Sequence, residues 1–285
     1  APILLGMMNV PDDVLKLATL YLRIFFFAMP FIEIYDFGSA VLRSKGDSTR
    51  PLYALITAGV INVILNLVFV IVFKMGVAGV ATATVISNFF SACMILYFLN
   101  HEEEMLRLDF RKLRIRWEYL LGIIKIGLPA GLQSMVFSLS NVVIQAAINS
   151  FGSDGIAGST AEQNFEFMAY FVINAFAQTA TTFTSQNFAA QDKERCKKIY
   201  RLCTFIGLAS CLGLSLIFLI GRHLFIQIFS TDENVIHYAM IRMWSVCLLE
   251  LLTGVYEISG GCLRGMGHSM TPAVITVPAC SGLCG

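Results

Sequence analysis

Ionisable and amide side chains interrupt stretches that are otherwise oily, and their spacing is regular. Glu33 and Asp36 are three apart, Glu250 and Glu257 seven apart, so each pair shares one face of a helix. A carboxylate inside a bilayer costs about 2.5–3.5 kcal/mol at a helix centre, so such groups mark proton relays or ion pathways. Glu250 is the candidate nearest mid-membrane. Asp36 and Glu257 lie near helix ends, where a structural carboxylate bonded to neighbouring helices is an equal reading. Gln133, Asn141, Gln145 and Asn149 fall on one i+4 row, with Phe137 between them. Glu166, Tyr170, Asn174, Gln178, Thr181 and Ser185 form a second polar face. Two such stripes on successive helices are expected to line a water-filled cavity that takes substrate. Hydrogen bonding between helices is the alternative, at about 0.6 kcal/mol a bond. Asn62 and Asn66, one turn apart, and Thr82, Thr84, Ser87 and Asn88 offer amide and hydroxyl oxygens that suit a hard monovalent cation or a proton relay.

The elements that must position these groups are apolar helices. The 285 residues are 56% hydrophobic and 14% charged, with mean hydropathy +0.72. A soluble domain averages about 25% charged. Long apolar stretches run over 14–42, 51–73, 77–99, 118–150, 160–189, 202–221 and 235–263. Each reaches or exceeds the roughly 20 residues that cross hydrocarbon. Lipid leaves backbone groups unsatisfied unless they form helices or closed barrels. The ten-residue alternation of a barrel is absent. The expectation is an all-α membrane protein with seven full spans, an eighth starting near Thr271. Pro30 and Pro129 are expected to kink the first and fourth. Gly76, Gly79 and Ala83 place small residues for close packing on the third.

One phrase occurs twice. YDFGSAVLRSKGDSTRP at 35–51 aligns without gaps on YEISGGCLRGMGHSMTP at 256–272, with six identities in seventeen positions. Ordinary frequencies give about one. Ala18 and Val14 also match Ala239 and Val235. Six spans separate the copies, so both point the same way, as parallel repeats do. The repeat implies twelve helices in two six-helix halves. Residues 1–100 then end one half (the tail of helix 3 and helices 4–6), 101–117 link the halves, and 118–285 carry helices 7–10 and the start of 11. Residue 1 opens within a helix, so helices 1–2 and most of 3 are expected upstream, and most of 11–12 downstream.

Basic residues orient the chain. Fourteen stand on one set of alternate loops, from Arg43 to Arg264, and three (Lys16, Lys74 and Arg222) on the other. The rich side is read as cytoplasmic. Arg23, Lys125 and Arg242, near span ends, are expected to snorkel. The charged stretch His101–Trp117 is a linker or an amphipathic surface segment on anionic lipid. The eight cysteines show no ligand-type spacing and read as small buried hydrophobes. Histidines stand in loops or at helix ends, and neither a nucleophile motif nor an ATP-binding loop is present. That argues against an enzyme and against ATP-driven pumping by this chain.

Several motifs together resemble the MATE (multidrug and toxic compound extrusion) transporters: PDDVLKLATLYLRI with LRSKGDSTRPLY, NVILNLVFVIVFKMGVAGVATATVIS, IKIGLPAGLQS, and TSQNFAAQDKERCKK followed by LRGMGHS. They occur in family order along essentially the whole chain. The resemblance implies two six-helix lobes around a V-shaped cleft. It implies antiport of amphipathic or cationic drugs against Na+ or H+, in a multi-pass protein of the bacterial inner membrane. By position, Asn62, Asn66 and Thr84 correspond to the cation or proton site of the N-lobe. Certain members use acids near Phe137 and Thr253 in the C-lobe; neither is present here, so either Glu166, Glu250 or Glu257 substitutes or coupling uses the N-lobe alone. Expected partners are membrane lipid and small amphipathic or cationic substrates, with no nucleic acid, no cofactor beyond the coupling ion, and a monomeric state. A lipid-linked oligosaccharide flippase of the related superfamily is the alternative. It would want several intramembrane cations for a pyrophosphate, and those are scarce.

Overall fold

The computed structural model describes residues 12–102, 108, 114, 116–149, 151–227, 229 and 232–283. They form helices α1 (Asp12–Phe26), α2 (Met29–Ser44), α3 (Thr49–Leu67), α4 (Val77–Asn100), α5 (Trp117–Asn149), α6 (Gly152–Ala189), α7 (Lys193–Ile220), α8 (Arg222–Gln227), α9 (Glu233–Gly265) and α10 (Met270–Leu283), with a π-helical turn at Val68–Val72. No strand occurs among the described residues, and the all-α expectation holds. The chain separates into two compact units, Ala1–Arg114 and Ile115–Gly285. Most of the linker stretch 101–117, and residues 1–11, lie outside the described residues.

Among the described residues, four helical stretches are long and apolar enough to cross a membrane: Thr49–Val72, Gly76–Asn100, Trp117–Ile148 and Lys193–Ile220. The number rises to six if two bent pairs are each one span. One is α1–α2, bent by 43°, where Pro30 in the first turn of α2 starts a new helix. The other is α9, bent by 46° between Val246 and Leu249; no proline or glycine signals it. Pro129, by contrast, lies inside α5 without ending it. The polar α6 has 38 residues, ample length to span, yet it is not among the six. Leu52, Leu55, Ile56, Val60, Val63 and Ile64 all stand exposed on α3. A surface of that kind belongs against hydrocarbon rather than water.

The duplicated phrase folds twice into one shape. α2 ends at Gly46 (φ +91°) and α9 at Gly267 (φ +84°), both in the left-handed region that spares glycine the Cβ clash. Gly46 N–H donates to Arg43 O at 2.9 Å, and Asp47 N–H to Leu42 O at 3.1 Å. Gly267 N–H donates to Arg264 O at 3.0 Å, and His268 N–H to Leu263 O at 2.9 Å. This is the Schellman closure. Side chains repeat as well. Arg43 Nε donates to Ser39 O at 3.3 Å and Arg264 Nε to Gly260 O at 3.2 Å. Tyr35 OH donates to Pro51 O at 3.2 Å. Its counterpart Tyr256 meets Thr276 Oγ1, which donates to Pro272 O at 2.8 Å. The second copy has inserted one hydroxyl into the same link.

In unit 1, α4 packs against α1, α2 and α3, around a core of Leu42, Ala54, Ile95 and Leu99. The α2–α3 turn is pinned to the end of α4 by Glu102, whose side chain is 3% exposed and pairs with Lys45 at 2.6 Å and Arg50 at 2.5 Å. Lys45 and Arg50 hold this carboxyl below the usual carboxylate range. The folded value is depressed. Its stabilising contribution is therefore complete above the ordinary glutamate value, about 4.3, and is lost as pH falls through the depressed value. Hydrogen exchange of the 46–50 amides is expected to be faster in Glu102→Gln than in the unsubstituted protein at neutral pH, and the difference to close in acid. A difference unchanged across that range would refute the pairing.

In unit 2, α6 packs between α7 and α9. Capping residues open two of these helices: Asp192 accepts from Arg195 N–H at 3.0 Å, and Asp232 from Asn234 N–H at 2.8 Å. Phe165, Phe218, Ile226, Ala239 and Met243 form one core cluster, and Ala177, Ala180, Cys203, Ile258 and Cys262 another.

Candidate functional site

The amides of α3 and the hydroxyls of α4 form one continuous ladder in unit 1. Asn66 Nδ2 donates to Asn62 Oδ1 at 2.9 Å, and Asn62 Nδ2 to Ser87 Oγ at 3.2 Å. Ser87 Oγ donates to Thr84 O at 3.0 Å, as does Asn88 Nδ2 at 2.8 Å. Thr84 Oγ1 is occupied by Val80 O at 3.0 Å, so its backbone carbonyl, not its hydroxyl, joins the ladder. Asn66 Oδ1 is buried and has no hydrogen-bond partner among the described residues. Buried polar atoms are seldom left so. The π turn at Val68–Val72 begins two residues later. Such widened turns are rare and cluster at functional sites. The run LVFVIV gave no sign of it.

The α5 stripe divides. Gln133 is 5% exposed, and its Nε2 donates to Tyr256 OH, which ties α5 to α9. It behaves as an interhelical hydrogen-bonding group, and its own Oε1 is buried without a hydrogen-bond partner among the described residues. Asn141 is exposed and Gln145 half-buried. On α6 the structure joins three of the six named residues in one row: Gln178 Nε2 donates to Asn174 Oδ1 at 2.9 Å, and Asn174 Nδ2 to Tyr170 OH at 3.4 Å. Phe167 and Phe171 stand exposed beside this row.

Glu166, at the start of that face, belongs to a cluster that residue spacing does not reveal. Arg242 of α9 does not snorkel. Its Nε pairs with Glu162 Oε2 at 2.7 Å and its Nη2 with Glu166 Oε2 at 2.8 Å, while Nη1 donates to Ser159 Oγ. The guanidinium is 21% exposed and Glu162 only 1%, so the attraction acts in a poorly screened interior. Glu162 was missed altogether. Its spacing from Glu166 is one helical turn, and that was the available signal. Glu250 approaches the same place from α9 and is 7% exposed. Glu257 is drawn off by Arg264 at 3.3 Å, near the end of α9, in the structural role open to it from the start.

Three comparisons bear on these sites. The MatE family model matches residues 1–68 and 129–283. Probable multidrug resistance protein YoeA of Bacillus subtilis is 27% identical over 291 residues, which cover 98% of this chain and 62% of that protein. Multidrug export protein MepA of Staphylococcus aureus is 22% identical over 95% of this chain and 60% of its own. Among solved structures, an outward-facing multidrug resistance MATE family transporter of the MOP superfamily superposes with TM-score 0.88 at 20% identity, over 97% of this chain and 62% of that one. The fold is thus shared. The chain spans about three-fifths of the length of these relatives.

Proposed function

The chain belongs to the MatE family, and on that premise we propose that it works as a cation-coupled secondary antiporter exporting amphipathic or cationic compounds across the cytoplasmic membrane. Unit 1 is the end of one six-helix half and unit 2 most of the other, acting as a monomer surrounded by lipid. The observation that carries ion coupling is Asn66. Its buried carbonyl oxygen, without a hydrogen-bond partner among the described residues, sits at the head of the Asn66–Asn62–Ser87 ladder, beside a π turn. An amide oxygen left without a donor is a ready ligand for Na+ or for a protonated group, and Thr84 contributes the carbonyl at the ladder's far end. The relatives' names as multidrug resistance and export proteins support the substrate class. Tyr170, Asn174 and Gln178, with Asn141, Gln145 and the exposed rings of Phe167 and Phe171, supply the mixed polar and aromatic surface that a cationic amphiphile needs. Coupling requires only that the ion bind one conformational state better than the other.

The test uses the full-length gene in an efflux-deficient strain, with ethidium extrusion measured under separate Na+ and pH gradients. Extrusion is expected to follow at least one gradient, and to follow neither would refute coupling. Asn66→Ala is expected to cut gradient-driven extrusion by about tenfold, one charge-assisted contact's worth, at unchanged membrane abundance. Undiminished extrusion would remove Asn66 from the site.

A further inference from the structure

Unit 2 carries a groove of about 500 Å³ where α6 and α9 end and α7 begins. That volume is ordinary for a small-molecule site. Phe188, Leu263, Met266 and the thiols of Cys196 and Cys262 give it an apolar wall. Its hydroxyls offer an occupant no proton. Thr184 Oγ1 donates to Cys262 Sγ at 3.5 Å, and Ser259 Oγ donates to Val255 O at 2.6 Å. The Ser259 proton being spent, Tyr200 OH is the donor in its 3.2 Å contact with Ser259 Oγ. What fills such a groove without loss is hydrocarbon.

The rim is cationic. Lys193 and Lys197 line the groove and no carboxylate does. Lys197 also borders an adjoining polar depression of about 610 Å³, which Arg195, Lys198 and Arg201 share with Asp192 and Glu194. Five basic side chains thus stand against two acidic ones. Asp192 is drawn toward its own helix, capping Arg195 N–H at 3.0 Å. Glu194 meets Lys197 at 2.9 Å, but the two side chains are 85% and 65% exposed, and pairs of that kind contribute little. A cationic drug is repelled here; an anion joined to a hydrocarbon chain matches both halves of the surface. The depth suits a lipid. From Lys193 to Tyr200, α7 rises about 10 Å, which reaches from the headgroups into the acyl region, and both lysines belong to the basic-rich loops read as cytoplasmic.

We propose that this groove binds one anionic phospholipid of the cytoplasmic leaflet. An acyl chain lies along Phe188, Leu263 and Met266, and the phosphate rests on Lys193 and Lys197. Basic pockets between spans on that side of a membrane recognise such headgroups. The inference needs only that unit 2 sits in a bilayer, and it is independent of what the chain transports. Its place gives it a consequence, because the occupant touches the ends of α6 and α9 and the start of α7 together. A lipid held there ties the three helices at one membrane surface.

Cys196 is a built-in reporter, a free, half-buried thiol on the groove wall. The experiment is its alkylation by N-ethylmaleimide in purified full-length protein in detergent, read by peptide mass spectrometry while phosphatidylglycerol is titrated in. The lipid is expected to slow alkylation of Cys196 severalfold and to leave the exposed Cys93 of unit 1 unaffected. Phosphatidylcholine with the same acyl chains is expected to protect far less, and inorganic phosphate at matched concentration not at all. The double variant Lys193→Gln, Lys197→Gln is expected to need roughly thirtyfold more phosphatidylglycerol for the same protection, the loss of two headgroup attractions. Lys125→Gln, on α5, is expected to behave as the unsubstituted protein. Equal protection by both lipids, protection by phosphate alone, or protection undiminished in the double variant overturns the proposal. So does a Cys196 that resists alkylation before any lipid is added, since another part of the full chain then fills the groove.

Discussion

Arg242→Ala in the full-length protein is expected to cost about 3–5 kcal/mol of stability, the usual loss when one partner of a buried ion pair is removed. The cost arises less from the lost attraction than from what remains. Glu162, 1% exposed, and Glu166 would face each other across one helical turn with no cation between them. Arg242→Lys is expected to fall between, because an ammonium is a single point charge. It cannot serve Glu162 through one nitrogen and Glu166 through another as the guanidinium fork does. The triple variant Arg242→Ala, Glu162→Gln, Glu166→Gln is expected to recover most of the loss, since replacing a whole buried ionic set is often close to neutral. Thermal unfolding of detergent-purified protein, followed with its size-exclusion profile, reads all three. An unchanged Tm for Arg242→Ala, or a triple variant no better than the single one, would show that the pairs are not what holds α6 to α9 at this level.

How much of this was legible beforehand depended on range. Local signals read well: the Gly46 and Gly267 turns follow from one repeated phrase, and Pro30 breaks its helix as a proline in a span should. Asn62, Asn66 and Ser87 could be named because amides are conspicuous in an apolar run. That Asn62 reaches Ser87 across two helices could not, since periodicity gives a residue's face but not the rotation of its neighbour. The same limit explains Arg242. Its position eight residues before Glu250 suggested a side chain reaching for the membrane surface. Only the packing of α6 on α9 shows that two carboxylates lie closer than the headgroups do. Glu162 went unremarked because the polar face of α6 was traced from Glu166 onward. Gln133 was grouped with the α5 stripe by spacing alone, and its partner Tyr256 is 123 residues away. The bend in α9 left no trace in composition at all.

Gly261→Ala is expected to destabilise the protein by up to about 3 kcal/mol, against its helix propensity. A methyl group at Gly261 would stand 2.6 Å from Ala177 O and 2.9 Å from Thr181 Oγ1, and it would disturb the bond from Thr181 Oγ1 to Gly261 O at 3.0 Å. Backbone cannot yield as a side-chain tip can, so the helices must part. One turn on, Gly265 leaves 2.5 Å to Thr181 O; at the far end of the same pair Gly158 leaves 2.6 Å to Val235 O. These two close approaches bracket the stretch where Arg242 meets Glu162 and Glu166. Separating α6 from α9 at either end therefore lengthens the ion pairs as well as loosening the packing. Gly59, on α3 with nothing within 4 Å, is the control: there alanine gains about 1 kcal/mol of propensity over glycine and meets no obstacle. The two substitutions are thus expected to move Tm in opposite directions. Movement in the same direction would mean that backbone contact does not set the α6–α9 distance, and with it the geometry of the Arg242 ion pairs.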